Sequence, residues 1–144
     1  MSNVSLAVST TIVDAALAKA RADALEPLTI VVLDGGGHIV AAKREDGSGI
    51  LRYDIAFGKA YGALGFGFGS RGLATRAAKA PHFIAAVGAV ADGRMVPAPG
   101  GVLIRDQDGR VIGAVGISGD TSDKDEVCAM HGIESASLMA DTGI

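Results

Sequence analysis

Leu28-Thr29-Ile30-Val31-Val32-Leu33, followed by Asp34-Gly35-Gly36-Gly37 and then Ile39-Val40-Ala41-Ala42-Lys43, is the stretch that decides the fold class. The first six residues are a short β-branched run of the kind that fills a buried strand. The Asp-Gly-Gly-Gly segment is a tight-turn signal, and the apolar residues beyond it continue as a second strand, so the stretch predicts a β-hairpin. The pattern returns downstream. Val102 to Arg105 and Val111 to Ser118 read as two strands joined by Asp106-Gln107-Asp108-Gly109, a turn of the Asp-Gly type.

Helical signals surround the hairpins. From about Ser5 to Leu25 the apolar positions Ile12, Val13, Ala16, Leu17, Ala20 and Ala24 follow one helix face, with Pro27 as the stop. Ile50 to Leu64 reads as a second helix, and the glycine-dense stretch Gly62 to Gly72 is expected to interrupt regular structure. Leu73 to Ala80 is a short helix stopped before Pro81, because the residue preceding a proline is pushed out of the α region. His82 to Val90 forms another, and Pro97-Ala98-Pro99-Gly100-Gly101 is a rigid loop. A last helix starts near Asp123, with Thr121 and Ser122 as caps and Ser122 with Asp125 or Glu126 resembling a capping box. Helix, hairpin, helices, hairpin, helix in that order indicates a single α+β domain with a mainly antiparallel sheet.

Composition narrows the function. The chain has 144 residues and a formal net charge of −3, which lacks the basic footprint of a nucleic-acid binder. Lys and Arg never cluster beyond two, and no run of about 18 apolar residues is present to span a bilayer. Met1-Ser2-Asn3 lacks the basic start of a signal peptide, so a cytoplasmic location is expected. With 21 Gly, no Trp, two Tyr and four Phe, the core is built from Ala, Val, Ile and Leu. Such small side chains hint that another subunit covers part of the apolar surface.

Gly67-Phe68-Gly69-Ser70-Arg71-Gly72 matches a dinucleotide fingerprint literally, but a helix rather than a strand precedes it, so it reads as a helix–helix connection. Cys128 and His131 are too few ligands for zinc and read as a buried thiol and a rim histidine. His38 sits at a hairpin turn, in solvent. His82, just after Pro81 and beside Phe83, is the better candidate for a haem axial ligand. Pro99-Gly100-Gly101 can present bare backbone N–H groups to an anion. Arg44 and Asp46 end the first hairpin, where side chains often line a cleft. Lys59 sits among Ala56, Phe57, Ala60 and Tyr61, either snorkelling to solvent or held as a charge for a ligand carboxylate or proton transfer. Asp123, Asp125 and Glu126 complement the last helix dipole, and one of them could also serve as a base.

Several of these pieces come in a familiar order: Val32-Leu33-Asp34-Gly35-Gly36-Gly37, Arg44-Glu45-Asp46-Gly47, Ile55-Ala56-Phe57-Gly58-Lys59-Ala60, Pro99-Gly100-Gly101-Val102, Val111 to Gly119, then Asp125-Glu126. From about Leu6 to the end the chain resembles the GlcG/HbpS family, also called haem-degrading or DUF336 proteins, which includes the C-terminal domain of PduO adenosyltransferases. The resemblance implies a profilin-like α+β fold, with a central antiparallel sheet flanked by helices and assembled into dimers or higher homo-oligomers. Some relatives bind haem, and others sit in catabolic pathways for small hydroxy acids or aromatics.

Two main functions follow as expectations. The first is binding of haem or another flat anionic ligand near the Pro99–Gly101 loop and a subunit interface. Lys59, Arg44 or Arg71 would meet the propionates, Glu126 would also line the pocket, and His82, His131 or Met95 would approach the iron. The second is a cofactor-independent lyase or isomerase acting on a small carboxylate. There Lys59 and Arg44 fix the carboxylate, the Gly100–Gly101 amides face developing oxyanion charge, and Asp46 or Asp125 moves a proton. That reading expects Lys59→Ala to abolish ligand binding and leave folding intact. A subunit with no ligand is the third, plainer possibility.

Overall fold

Ser5 opens the first helix, its hydroxyl accepting the Val8 N–H at 3.1 Å. In the computed structural model, which describes residues 3–144, helix α1 runs Leu6–Ala22 and buries Ile12, Val13, Ala16 and Ala20 along one face. The first hairpin follows as β1 (Thr29–Asp34) and β2 (Ile39–Arg44), and then come helices α2 (Arg52–Phe66), α3 (Ser70–Lys79) and α4 (Pro81–Val90). The second hairpin is β3 (Gly101–Arg105) and β4 (Val111–Ser118), and helix α5 (Ser122–Ser135) and strand β5 (Met139–Asp141) complete the order.

The strands form one antiparallel sheet in the order β2-β1-β4-β3-β5. The two hairpins meet along β1 and β4, where Val31 pairs with Gly116 and Thr29 with Ser118. Being central, β1 is buried on both faces, which is why its sequence is continuously apolar rather than alternating. One face packs against α1 and α5 through Ile30, Val32, Val102, Ile104, Val115 and Ile117. The other carries Val31, Leu33, Leu103 and Ala114 against Ala56, Ala60 and Ala63 of α2. The α+β class and the flanking helices are those the sequence indicates.

Glycine on the sheet sets how closely α2 sits. A Cβ at Gly116 would lie 1.9 Å from the Ala56 carbonyl oxygen, and one at Gly101 would lie 2.2 Å from the Lys59 carbonyl oxygen. Helix backbone therefore rests directly on strand backbone, and only glycine allows it.

Four local expectations are corrected. The glycine-dense stretch does not break at Gly62. Helix α2 continues to Phe66, because Gly62 is the close contact for Met95 and Leu73 rather than a stop, and only Gly67 with φ +83° ends it. The first helix stops at Ala22, short of Leu25, where Ala24 takes φ +54°. The last helix is capped by Thr121, whose hydroxyl accepts from Lys124 N–H, so Ser122 is the first helical residue and the Ser122 box does not form. Finally, β5 has no counterpart among the expected strands, being three residues whose edge pairing to β3 leaves little periodic signal.

Candidate functional site

Lys59 belongs to an apolar helix and is 2% exposed, so it does not snorkel. Its Nζ donates to the Ile117 carbonyl oxygen at 2.9 Å and to Asp125 Oδ2 at 3.2 Å. Asp125 is equally buried, and its second oxygen accepts the Asp120 N–H at 3.1 Å. Burial holds the Lys59 pKa below its ordinary value, against the opposing pull of Asp125. Burial likewise raises the Asp125 carboxyl above the usual carboxylate range although Lys59 opposes it. Because α2 and α5 cover opposite faces, this ion pair reaches past the end of the sheet and ties the two layers together.

The Pro99–Gly101 loop closes over that pair. Gly100, at φ +121°, is so near that a Cβ there would stand 2.9 Å from Lys59 Nζ. The Gly100 carbonyl accepts from Ile117 N–H, and the Gly101 N–H donates to Ser70 Oγ at 2.7 Å. Ser70 in turn donates to the Ala98 carbonyl, so the start of α3 pins the loop. Glu126, the residue after Asp125 on α5, is gripped by Arg71 of α3 through Nε and Nη2 at 3.0–3.1 Å, and Arg71 also reaches Asp123. These two carboxylates push the Arg71 pKa further up.

Thus Lys59, Gly100, Gly101 and Asp125 come together, with Pro99 and Glu126 beside them. Arg44 and Asp46 do not join. They line a separate depression with Arg21, Pro27 and Glu45, and Arg44 donates to the Ser48 carbonyl. His82 is exposed on the first turn of α4. His131 is exposed on α5 and Met95 is buried against Gly62. Cys128 is buried, which pushes its thiol up to about 11. His38 is solvent-exposed beside Asp34.

A further opening lies elsewhere, at residues the sequence does not single out. A groove of about 640 Å³ runs along α3 beside the segment after β5, lined by Phe68, Gly72, Thr75, Arg76, Lys79 and Arg105. Gly72, Thr75, Arg76 and Lys79 recur at i, i+3, i+4 and i+7, which is the periodic signal that could have found it. Arg105 is neutralised by Asp141 at 2.8–3.0 Å. Arg76 stacks over the Phe68 ring at 5.4 Å, and among the described residues neither Arg76 nor Lys79 has an ion-pair partner. Among the same residues no group of three or more His, Cys, Asp or Glu side chains gathers to hold a metal ion, and no helix is long and apolar enough to cross a membrane.

A helix-covered, open antiparallel sheet, with a basic groove along α3, defines a single α+β domain. The chain belongs to the HbpS-like family, described as haem degrading protein HbpS-like, whose model matches residues 4–134. Its fold is similar to Klebsiella pneumoniae ORFY of family DUF336, at a TM-score of 0.85 and 24% identity over 95% of this chain and 92% of that one. It is also similar to PduOC, solved as a heme complex, at 0.84 and 20% identity over 94% and 96%. A double mutant of Streptomyces reticuli HbpS matches at 0.80 and 26% identity over 93% and 87%. No curated protein matches the chain.

Proposed function

We propose that the protein binds haem or another flat, anionic ligand in the α3 groove, as a homo-oligomer with the groove close to a subunit boundary. The observation that carries this reading is a groove lined by Phe68 and by two cations, Arg76 and Lys79, that have no ion-pair partner among the described residues. Haem has that character, since its propionates need cations and its ring needs an apolar wall. The groove volume falls in the range of small-molecule sites, about 300–1,000 Å³. His82 follows Lys79 by three residues and is exposed, which makes it the histidine proposed to approach the iron.

The test is a haemin titration followed at the Soret band. A saturable shift is expected. Arg76→Glu with Lys79→Glu should weaken it by roughly tenfold or more per cation, from about 1.5–3 kcal/mol for each charged hydrogen bond. His82→Ala should move the band position. A flat titration, or one unchanged in the double variant, overturns the reading.

A second reading is supported by Lys59 and Asp125, a buried base and acid with displaced pKa values in opposite directions, a pattern common at catalytic sites. It is the cofactor-independent lyase or isomerase of a small carboxylate. It now centres on Lys59, Asp125 and the Pro99–Gly101 backbone, because Arg44 and Asp46 line a different depression and Arg71 engages Glu126. Carboxylate binding that survives Lys59→Met in folded protein would remove it.

A further inference from the structure

The glycines of Gly67-Phe68-Gly69-Ser70-Arg71-Gly72 have no part in the function proposed above, and packing gives them one. A Cβ at Gly69 would overlap the carbonyl carbon of Thr142, and one at Gly143 would overlap the Gly69 carbonyl oxygen. A Cβ at Gly72 would stand 2.8 Å from the Gly143 carbonyl oxygen. Backbone therefore lies on backbone where residues 141–144 cross the start of α3, a closeness that only glycine permits. The literal dinucleotide fingerprint is a seat for the segment after β5.

Asp141 fastens that segment. Its Oδ2 accepts from Arg105 Nε at 3.0 Å and from Nη2 at 2.8 Å, and its Oδ1 accepts the Gly143 N–H at 2.9 Å. Arg105 is also held from elsewhere, donating to the Gly109 carbonyl at 2.8 Å and to the Gly67 carbonyl at 3.3 Å. The guanidinium is thus fixed independently of Asp141, whereas the carboxylate hangs from an edge strand of three residues. Both side chains line the groove, Arg105 at 28% exposure and Asp141 at 23%. Cations therefore run the length of the groove. Arg105 sits at Gly67, Arg76 lies over the Phe68 ring, and Lys79 is the last residue of α3, a helix about 15 Å long. Of these three, among the described residues, Arg105 alone already holds a carboxylate, and that carboxylate shows the pose a ligand acid would take there.

We propose that the groove takes an elongated dianion, a flat ligand with an acid group at each end, and that Asp141 guards one end. One acid group takes Lys79 or Arg76. The other takes Arg105 in place of Asp141, and residues 141–144 lift from their glycine seat. The exchange loses little, because an ion pair this exposed contributes little, while the ligand acid meets a guanidinium fork already in place. A ligand with a single acid group is served by α3 alone and leaves the segment docked. The proposal rests on the groove reading above and narrows its ligand.

The experiment compares a linear biphenyl dicarboxylate, one acid on each ring, with biphenyl monocarboxylate by titration calorimetry. Hydrogen exchange of residues 139–144, read by mass spectrometry, reports the segment, and circular dichroism confirms folding. The dicarboxylate should bind at least about fivefold tighter and speed that exchange, while the monocarboxylate leaves it unchanged. Asp141→Asn should speed exchange without any ligand and widen the preference by about two- to fivefold. Gly69→Ala evicts the segment with every charge intact and should act in the same direction. Arg105→Met should abolish the preference; if it does not fold, the other two variants decide. Equal affinities for the two acids overturn the proposal. So does a segment that becomes more protected when the dicarboxylate binds, or a Gly69→Ala protein that frees the segment and loses the preference. Should neither acid bind while haemin still titrates, the dianion proposal fails and the groove reading stands. Should Arg76→Glu with Lys79→Glu bind haemin and both acids as the wild type does, the groove reading itself fails.

Discussion

Replacing Lys59 by Met would remove an ammonium that is buried, ion-paired and hydrogen-bonded to a strand carbonyl, and put a side chain of similar length in its place. Asp125 would remain 1% exposed with one backbone N–H as its only hydrogen-bond donor. Breaking a buried pair from one side costs about 3–5 kcal/mol, because an uncompensated charge stays in the interior. Removing both partners is far gentler. Lys59→Met with Asp125→Leu should recover part of the loss, retaining about 1–3 kcal/mol for the Asp120 N–H left without its acceptor. Urea unfolding with a constant slope measures both differences.

The pH dependence has a defined sign. Burial raises the folded-state pKa of Asp125 above the ordinary 3.8, and losing Lys59 raises it further. Between those values the folded protein holds the proton and the unfolded chain does not, so stability falls as pH rises. The deficit of Lys59→Met relative to wild type should therefore shrink as the pH is lowered from 7 toward the unfolded pKa. A deficit under about 1 kcal/mol at pH 7, the size of an ordinary surface change, would refute the reasoning. So would a deficit that widens on acidification. The expectation that a Lys59 truncation leaves folding intact is thus reversed by burial.

Two further outcomes follow from packing. Gly116→Ala should destabilise by about 1–3 kcal/mol or more, since the new methyl meets the Ala56 carbonyl and α2 must lift from the sheet; a denaturation midpoint equal to wild type would contradict the backbone contact. Cys128 should react with iodoacetamide at pH 8 at least about a hundredfold slower in folded than in urea-unfolded protein, because a thiol raised to about 11 holds that much less thiolate. Equal rates would show that the thiol is not buried.

The hairpins were legible because Asp34-Gly35-Gly36-Gly37 and Asp106-Gln107-Asp108-Gly109 are local signals, needing nothing beyond neighbouring residues. The sheet order was not, since the β1–β4 pairing joins residues as far apart in the chain as Thr29 and Ser118. Gly62 misled for a related reason. Locally it weakens a helix, while its real role is to admit Met95 from a distant loop. At the candidate site, the importance of Lys59 was visible as a lone charge in an apolar helix. Its partner was not, because Asp125 at a helix start has a sufficient local explanation in the dipole. The groove escaped because its cations look like an ordinary solvated face until the segment after β5 folds across.

The Lys59–Asp125 pair also bears on how the molecule opens. Helix α5 could otherwise peel from one face of the sheet while α2 stayed on the other, each fraying at its own free energy. Joined past the sheet end, neither can leave without stranding a charge. The protected amides of the two helices should then exchange with solvent deuterium as one unit, at a common rate, although they share no packed surface and lie in opposite layers. Severing the pair would let the two helices exchange on separate clocks.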